Sequence, residues 1–425
     1  MLLSSVVIAP FLAALLVALG SGRDRIAALR LGLVLSGGLA ALGGSLALAP
    51  ASSLQLAWFD LPGTQATLNW SLQADGISAW LVALVLGLGP VAILAASRSC
   101  GDRLRLFIAA ILAVQGCLVG AFLAADLVLF YIFFEASLLP MLAIIGSFGD
   151  PVDRRRATLQ FLIYTMAGSA LFLVAIWYLV AATGTSSVAE LPAAVAGLSA
   201  EARLCCFVAF CLAFAVKTPL VPFHGWQAPV YSACPPAGAV LLAGAMAKLG
   251  TFGFLRYVLP IFPVESAAWA SVFITLGLIG VVGGALIALV QSDLKRLLAF
   301  SSLSHLGLIV VGIFSFQTAG LSGAVVQMVA HGLAAAALFV LIVSLEERFG
   351  SARLEDFGGL AGRWPALAVL LVLAALAAVA LPGTAGFVGE IMLLQGTFMG
   401  LTERLGTTSG VLLTLVAGLA LIFGA

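Results

Sequence analysis

Apolar residues run through this chain in long blocks separated by short polar stretches. Thirteen blocks are readable, at about 2–20, 27–49, 76–97, 104–124, 127–147, 157–182, 202–222, 236–258, 267–290, 297–316, 321–344, 366–401 and 409–425. Most match the length a helix needs, about 17–25 residues, to cross about 30 Å of hydrocarbon. The pattern predicts an all-α polytopic membrane protein with about thirteen transmembrane segments, organised as a single integral membrane domain over 1–425. The twelfth block is too long for one straight helix and contains Leu381-Pro382-Gly383-Thr384-Ala385-Gly386. It reads as two half-helices around a break. The seventh runs into Pro219, Pro222, Pro229, Pro235 and Pro236 and should be interrupted as well. Irregular backbone at membrane depth persists only where protein buries it or where it lines a cavity, and in transporters it marks the site.

The basic residues test this arrangement. Fourteen of the nineteen Lys and Arg fall in or beside loops that follow odd-numbered blocks, from Arg23, Arg25 and Arg30 through Arg98 to Arg363. Only Arg203, Arg256 and Arg404 fall on the opposite side. That bias places the odd loops on the cytoplasmic or equivalent negative side. The first block has no basic region before it, and its charges follow it. This pattern predicts a first spanning helix with its N-terminus outside rather than a cleaved signal.

Composition agrees: 63% of residues are hydrophobic and 9% charged, so the formal net charge of +1 says less than where the charges lie. The six cysteines, Cys100, Cys117, Cys205, Cys206, Cys211 and Cys234, show no C-x-x-C spacing and read as small buried hydrophobes. Asn69-Trp70-Ser71 matches a glycosylation sequon that is common by chance. The sequence has no G-x-G-x-x-G loop, Walker loop, C-x-x-C-H or four-cysteine cluster, and no basic, aromatic-interleaved patch for nucleic acid. Neither cofactor-binding nor metal residues are therefore expected in this chain. Any redox chemistry belongs to partner subunits.

The remaining signal is ionisable residues inside the apolar blocks: Glu135, Lys217, Lys248 and Glu390. A charge at the bilayer centre costs about 2.5–3.5 kcal/mol even on the translocon scale. Such residues need partners and mark ion or proton paths. Glu135 lies among Phe130, Phe133 and Phe134, in the block opened by Asp126. It reads either as a proton-accepting carboxylate or as half of a permanent ion pair. Lys217 precedes Thr218-Pro219 at the expected break and either changes protonation there or snorkels to an interface. Lys248 lies mid-block between Gly244 and Gly250, in what reads as an intact helix, as does Glu135. Glu390 opens the second half of the twelfth block, where a helix dipole favours a carboxylate. His305, after Ser301, Ser302 and Ser304, and His331, near Gln327, add groups suited to proton relay. His224 lies in Pro222-Phe223-His224-Gly225-Trp226 and reads equally as structural. The candidate proton carriers are thus Glu135, Lys217, Lys248, His305, His331 and Glu390.

These residues sit in recognisable strings. They include Phe133-Phe134-Glu135-Ala136, Lys217-Thr218-Pro219, Lys248-Leu249-Gly250 and Gly253-Phe254-Leu255-Arg256. Further along come Asp293-Leu294-Lys295-Arg296-Leu297-Leu298-Ala299-Phe300-Ser301-Ser302, Ser304-His305 and His331-Gly332. Asp356-Phe357-Gly358-Gly359-Leu360 and Leu381 to Glu390 complete the set. In these motifs, from about 130 to 395, the chain resembles the antiporter-like membrane subunits of respiratory complex I, most closely the subunit M or subunit 4 type. The resemblance implies inverted five-helix repeats, at 104–258 and 267–425 after N-terminal helices in 1–97, with broken helices seven and twelve. It implies that Glu135 pairs with Lys217, that Lys248 is the central relay lysine, that His305 and His331 link, and that Glu390 is the terminal carboxylate. It also implies a quinone, iron–sulfur clusters and possibly flavin in partner subunits of the membrane arm and beyond, and a bacterial inner membrane or a cyanobacterial thylakoid membrane with plastoquinone. Two departures stand out. The family's Thr-Trp-Leu-Pro-Asp-Ala-His after the histidine is replaced here by Gly225-Trp226-Gln227-Ala228-Pro229-Val230-Tyr231, and a fourteenth helix is expected by family resemblance but absent before Ala425. Related alternatives are a multi-subunit cation/proton antiporter, a membrane-bound hydrogenase arm and a structural scaffold.

Overall fold

The structure, a computed structural model, describes residues 2–20, 24–60, 67–96 and 103–424. Arg23, Arg98, Cys100 and Ala425 lie outside the described residues. In chain order the elements are α1 (Leu2–Leu19), α2 (Arg25–Leu48), β1 (Ser52–Asp60), β2 (Thr67–Ala74), α3 (Ser78–Ala96), α4 (Leu104–Leu123), α5 (Leu127–Ala136), α6 (Leu138–Phe148), α7 (Arg154–Thr183), α8 (Leu191–Val195) and α9 (Ala200–Lys217). They continue with α10 (Gln227–Ala233), α11 (Pro236–Leu241), α12 (Lys248–Gly253), α13 (Leu259–Ile261), α14 (Pro263–Leu289), α15 (Leu294–Phe314), α16 (Thr318–Phe349), α17 (Leu360–Arg363), α18 (Pro365–Ala378), α19 (Ala385–Leu405) and α20 (Thr407–Gly424).

Helices fall on every one of the apolar blocks, and ten of them are long and apolar enough to cross a membrane, among the described residues. The seventh block forms α9, which ends at Lys217 and gives way to non-helical backbone before α10. The twelfth divides into α18 and α19, with Ala380 at φ 51° and Gly383 at φ 103° in the break between them.

Two features depart from the sequence reading. The segment before α3 is a β-hairpin, β1 antiparallel to β2, with a bulge between Ala57 and Phe59. Its period-2 faces are visible in the burial of Leu68, Leu72 and Ala74 on β2. The indole N–H of Trp70 donates to Ser4 Oγ at 2.9 Å, which ties the hairpin to α1. The second departure concerns the helix expected to be intact around Lys248. It runs from Pro236 to Ile261 but contains two π turns, Leu242–Met246 and Phe254–Val258, on either side of α12.

The chain forms two compact units, Met1–Lys217 with Ala233–Ser266, and Thr218–Ser232 with Ala267–Ala425. In the first, α1 packs on α4, α2 on α3, and α7 on α9. An aromatic cluster of Phe130, Phe134, Phe172, Phe210, Phe214 and Tyr257 fills the space among α5, α7 and α9. In the second, α16 packs on α15, α18 and α19, and α19 on α20. The α16–α19 crossing is close because both sides are glycine at the contact: a Cβ on Gly396 would collide with the backbone of Gly320. Replacing Gly396 with Leu should force these helices apart at a cost of about 1–3 kcal/mol, the range for overpacking. The expected result is a lower thermal unfolding midpoint in detergent. An unchanged midpoint would show that the close approach is not required.

Candidate functional site

The candidate residues divide between the two units. In the first unit, α5 is started by Asp126, whose buried carboxylate accepts from the N–H groups of Val128 and Leu129 at 2.9 and 3.1 Å. The same carboxylate accepts from Ser186 Oγ and, at 3.4 Å, from the N–H of Asn69 on β2. One cap thus joins the hairpin, the loop after α7 and the helix that carries Glu135. Asp126 lies outside the spans, and burial pushes its carboxyl up, against the pull of the Ser186, Leu129, Asn69 and Val128 donors.

Glu135 is half-buried near the end of α5, with the Ser169 hydroxyl as a hydrogen-bond partner and the Lys217 charge acting on it. Lys217 is the last residue of α9 and only 3% exposed, so it does not snorkel. Its Nζ lies 4.5 Å from the centroid of the Phe134 ring. Glu135 and Lys217 form no ion pair within 4 Å among the described residues. The ammonium is held by the face of an aromatic ring, and the carboxylate acts on it through space. The pairing implied by resemblance is therefore electrostatic rather than a hydrogen-bonded lock.

Lys248 has no exposed surface. In an uninterrupted α-helix, every mid-helix carbonyl already accepts the N–H four residues on. Here the π turn before α12 alters that pairing: the Ala247 N–H bonds to Leu242 O at 3.1 Å, five residues back. The Ala243 carbonyl is thereby relieved of its i+4 donor and accepts Lys248 Nζ at 2.5 Å. Single π turns inside α-helices recur at functional sites. The sequence carries no evident signal for this one, because Leu, Ala, Gly and Met form α and π turns alike.

At the far end of the same helix, Arg256 pairs with Asp75, just before α3, at 2.6 Å. Asp75 also accepts from the N–H groups of Ile77 and Ser78 at 3.1 and 2.9 Å. Arg256 stood in the sequence only as part of a motif. No local signal connects it to an acid so distant along the chain.

In the second unit, His305 on α15, Gln327 and His331 on α16, and Glu390 on α19 converge. His305 Nδ1 lies 3.1 Å from Glu390 Oε1. Gln327 Nε2 donates to the same oxygen at 3.2 Å. The two imidazole rings lie 5.3 Å apart, centroid to centroid. Ser301, Ser302, His305, Gln327 and His331 line a cavity of about 20 Å³, room for about one water with polar partners. Since α19 begins at Ala385, Glu390 lies beyond the first turn, where the helix dipole has faded. A side-chain donor, Gln327 Nε2, meets the carboxylate instead, with His305 Nδ1 alongside, which corrects the dipole argument. Gln327 contributes directly, where the sequence offered only its proximity to His331. His224, between α9 and α10, is not brought into hydrogen-bond contact through Nδ1, a buried atom without a partner. Among the described residues, no three His, Cys, Asp or Glu side chains converge as a metal-holding group.

Comparison with known proteins places this geometry. Residues 124–416 match the family described as NADH:quinone oxidoreductase/Mrp antiporter, transmembrane. The chain is 36% identical over 369 residues to NADH-quinone oxidoreductase subunit M of Rickettsia felis, covering 87% of this chain and 72% of that protein. It superposes on a chain of respiratory complex I from Thermus thermophilus with bound NADH, with a TM-score of 0.87 and 30% identity, covering 100% of this chain and 86% of the other. A chain of the Mrp complex from Dietzia sp. gives a TM-score of 0.88 at 23% identity, covering 100% of this chain and 46% of that one, and shares the fold.

The Asp75–Arg256 pair gives a pH prediction. Burial pushes the Asp75 carboxyl up, but the Ser78 N–H, Arg256 and the Ile77 N–H together hold it below its ordinary value. A carboxyl lowered by folding stabilises the fold above its unfolded pKa, and that contribution is lost as the pH falls through the folded value. Replacing Arg256 with Gln leaves the burial penalty and removes the attraction. The variant should then be less stable near neutral pH, and its stability should fall less as the pH drops, read as unfolding midpoint against pH. Superimposable acid profiles would mean that the pair does not contribute.

Proposed function

The chain belongs to the NADH:quinone oxidoreductase/Mrp antiporter membrane family, and on that premise we propose that it is a proton-translocating membrane-arm subunit of a complex I-like quinone oxidoreductase. It acts as part of an enzyme whose electron transfer takes place in other subunits. Quinone, iron–sulfur clusters and flavin belong to those partners in this reading, and the host membrane is a bacterial inner membrane. The relatives carry quinone or ubiquinone in their names, which favours this setting over a thylakoid with plastoquinone.

The observation that carries the proposal is Lys248, wholly buried in a helix whose π turn supplies a carbonyl to its ammonium. An apolar residue would occupy that position at no electrostatic cost. A lysine held there by a built acceptor is suited to taking and giving up a proton. In the first unit, ionised Glu135 stabilises the ammonium of Lys217, and neutralising Glu135 removes that stabilisation so that the proton can pass toward Lys248. Because Glu135 and Lys217 are not locked in a direct ion pair, Glu135 can change charge without breaking one. This argues against a purely structural scaffold. In the second unit, His305, His331 and Glu390 provide the acid–base groups for the later transfer. The cation/proton antiporter reading shares this machinery and differs in partners. Sodium-dependent exchange without a quinone reductase would favour it.

Replacing Glu135 or Lys248 with Ala should abolish proton pumping by the assembled complex, measured as quinone-reduction-driven acidification in inverted membrane vesicles, while co-purification of its subunits persists. Full pumping by a correctly assembled variant would sink the scheme.

A further inference from the structure

Gln327 is the one member of the second unit's constellation that cannot carry a proton at ordinary pH, yet it hydrogen-bonds to the carboxylate. It is 2% exposed on α16. Its Nε2 donates to Glu390 Oε1 at 3.2 Å, and His305 Nδ1 approaches that same oxygen at 3.1 Å. The other end of its amide, Oε1, is buried and has no hydrogen-bond partner among the described residues. The backbone is built around this side chain: a Cβ on Gly389 would stand 2.5 Å from Gln327 Oε1 and 3.0 Å from the Gln327 backbone N. Glycine beside Glu390 is what lets α16 bring the amide to the carboxyl. The amide also borders the cavity of about 20 Å³, so it has space to turn.

An amide has a donor end and an acceptor end on one planar group. An ionised carboxylate only accepts, whereas a protonated one offers an O–H. We propose that Gln327 is the positioning residue for Glu390, presenting its NH2 to the ionised carboxylate and its Oε1 to the protonated acid, and so holding the carboxyl against His305 in both states. The proton itself moves between His305 and Glu390, and Gln327 neither gains nor loses one. A leucine or methionine of similar size would fill the space but hold neither state. A lysine or arginine would favour only the ionised one. The other group facing Glu390 is His305 from α15, against which His331 of α16 lies. The remaining helices against α19, which are α18 and α20, carry no titratable residue.

This inference rests on the reading of Glu390 as a proton carrier, and the test separates the two. In the assembled complex, infrared difference spectra taken across a pH titration contain the carboxylic C=O band of protonated Glu390, identified by its loss in Glu390→Gln. In Gln327→Met that band should move to higher frequency, because the acid has lost its acceptor, and proton transfer should fall about tenfold, the loss expected for one hydrogen bond to a charged group. The imidazole bands of His305 and His331 should stay in place. Should Gln327→Met fail to assemble, Gln327→Glu keeps the side-chain length and should shift the same band in an intact complex. An unmoved C=O band with undiminished proton transfer in an assembled Gln327 variant overturns the positioning role and leaves Glu390 as a carrier. Full proton transfer in Glu390→Gln overturns the carrier reading itself.

Discussion

A charged or chargeable group inside a helical membrane protein needs a partner that the helix does not ordinarily release. Every carbonyl in the middle of an α-helix is occupied by the N–H four residues on, and lipid offers no replacement. This chain meets that constraint in three ways. At Lys248 the helix is locally rewound so that the Ala247 N–H reaches Leu242, and the Ala243 carbonyl turns to the ammonium. At Lys217 the helix ends, and an aromatic ring face receives the charge. At Glu390 the helix starts again after a break, Gln327 of α16 donates to the carboxylate, and His305 Nδ1 of α15 lies 3.1 Å from it. Each device gives up regular secondary structure where an ionisable side chain sits in an apolar run.

That division explains what could be read directly from the chain. Hydrophobic block length reflects membrane thickness, a property of the bilayer, so the helices appear where the blocks do. Proline and glycine restrict the backbone locally, so the breaks after Lys217 and before Ala385 were also legible. Ionisable residues in apolar runs are costly enough to stand out singly, and Glu135, Lys217, Lys248, His305, His331 and Glu390 could be named before any coordinates. What remained hidden depends on relations between distant segments. The contact of His305 with Glu390 joins α15 to α19, and the Asp75–Arg256 pair joins the start of α3 to the end of the helix that carries Lys248. The hairpin was missed for another reason: its alternation is short and lies between blocks whose hydropathy dominates the reading.

Glu135 and Lys217 act on one another without direct contact. A close ion pair in an apolar interior is stable once formed, and removing one partner leaves an uncompensated charge. In the proposed function such a pair would resist a change of protonation. Here the ammonium lies over the Phe134 ring instead, and Glu135, with Ser169 beside it, acts on it through space.

The second unit follows the same logic with different chemistry. A carboxylate and an imidazole 3.1 Å apart would also form a durable pair if nothing else met them. Three features oppose that outcome: a second imidazole 5.3 Å from the first, a polar cavity large enough for about one water, and an amide that donates to the carboxylate. Gly389 and the glycines of the α16–α19 crossing make the arrangement possible, because any side chain there would hold the two helices too far apart for Gln327 to reach. The packing of small residues and the chemistry of the site are therefore one design problem. The helices approach this closely at their glycines, and that approach is what brings the Gln327 amide within hydrogen-bond reach of Glu390.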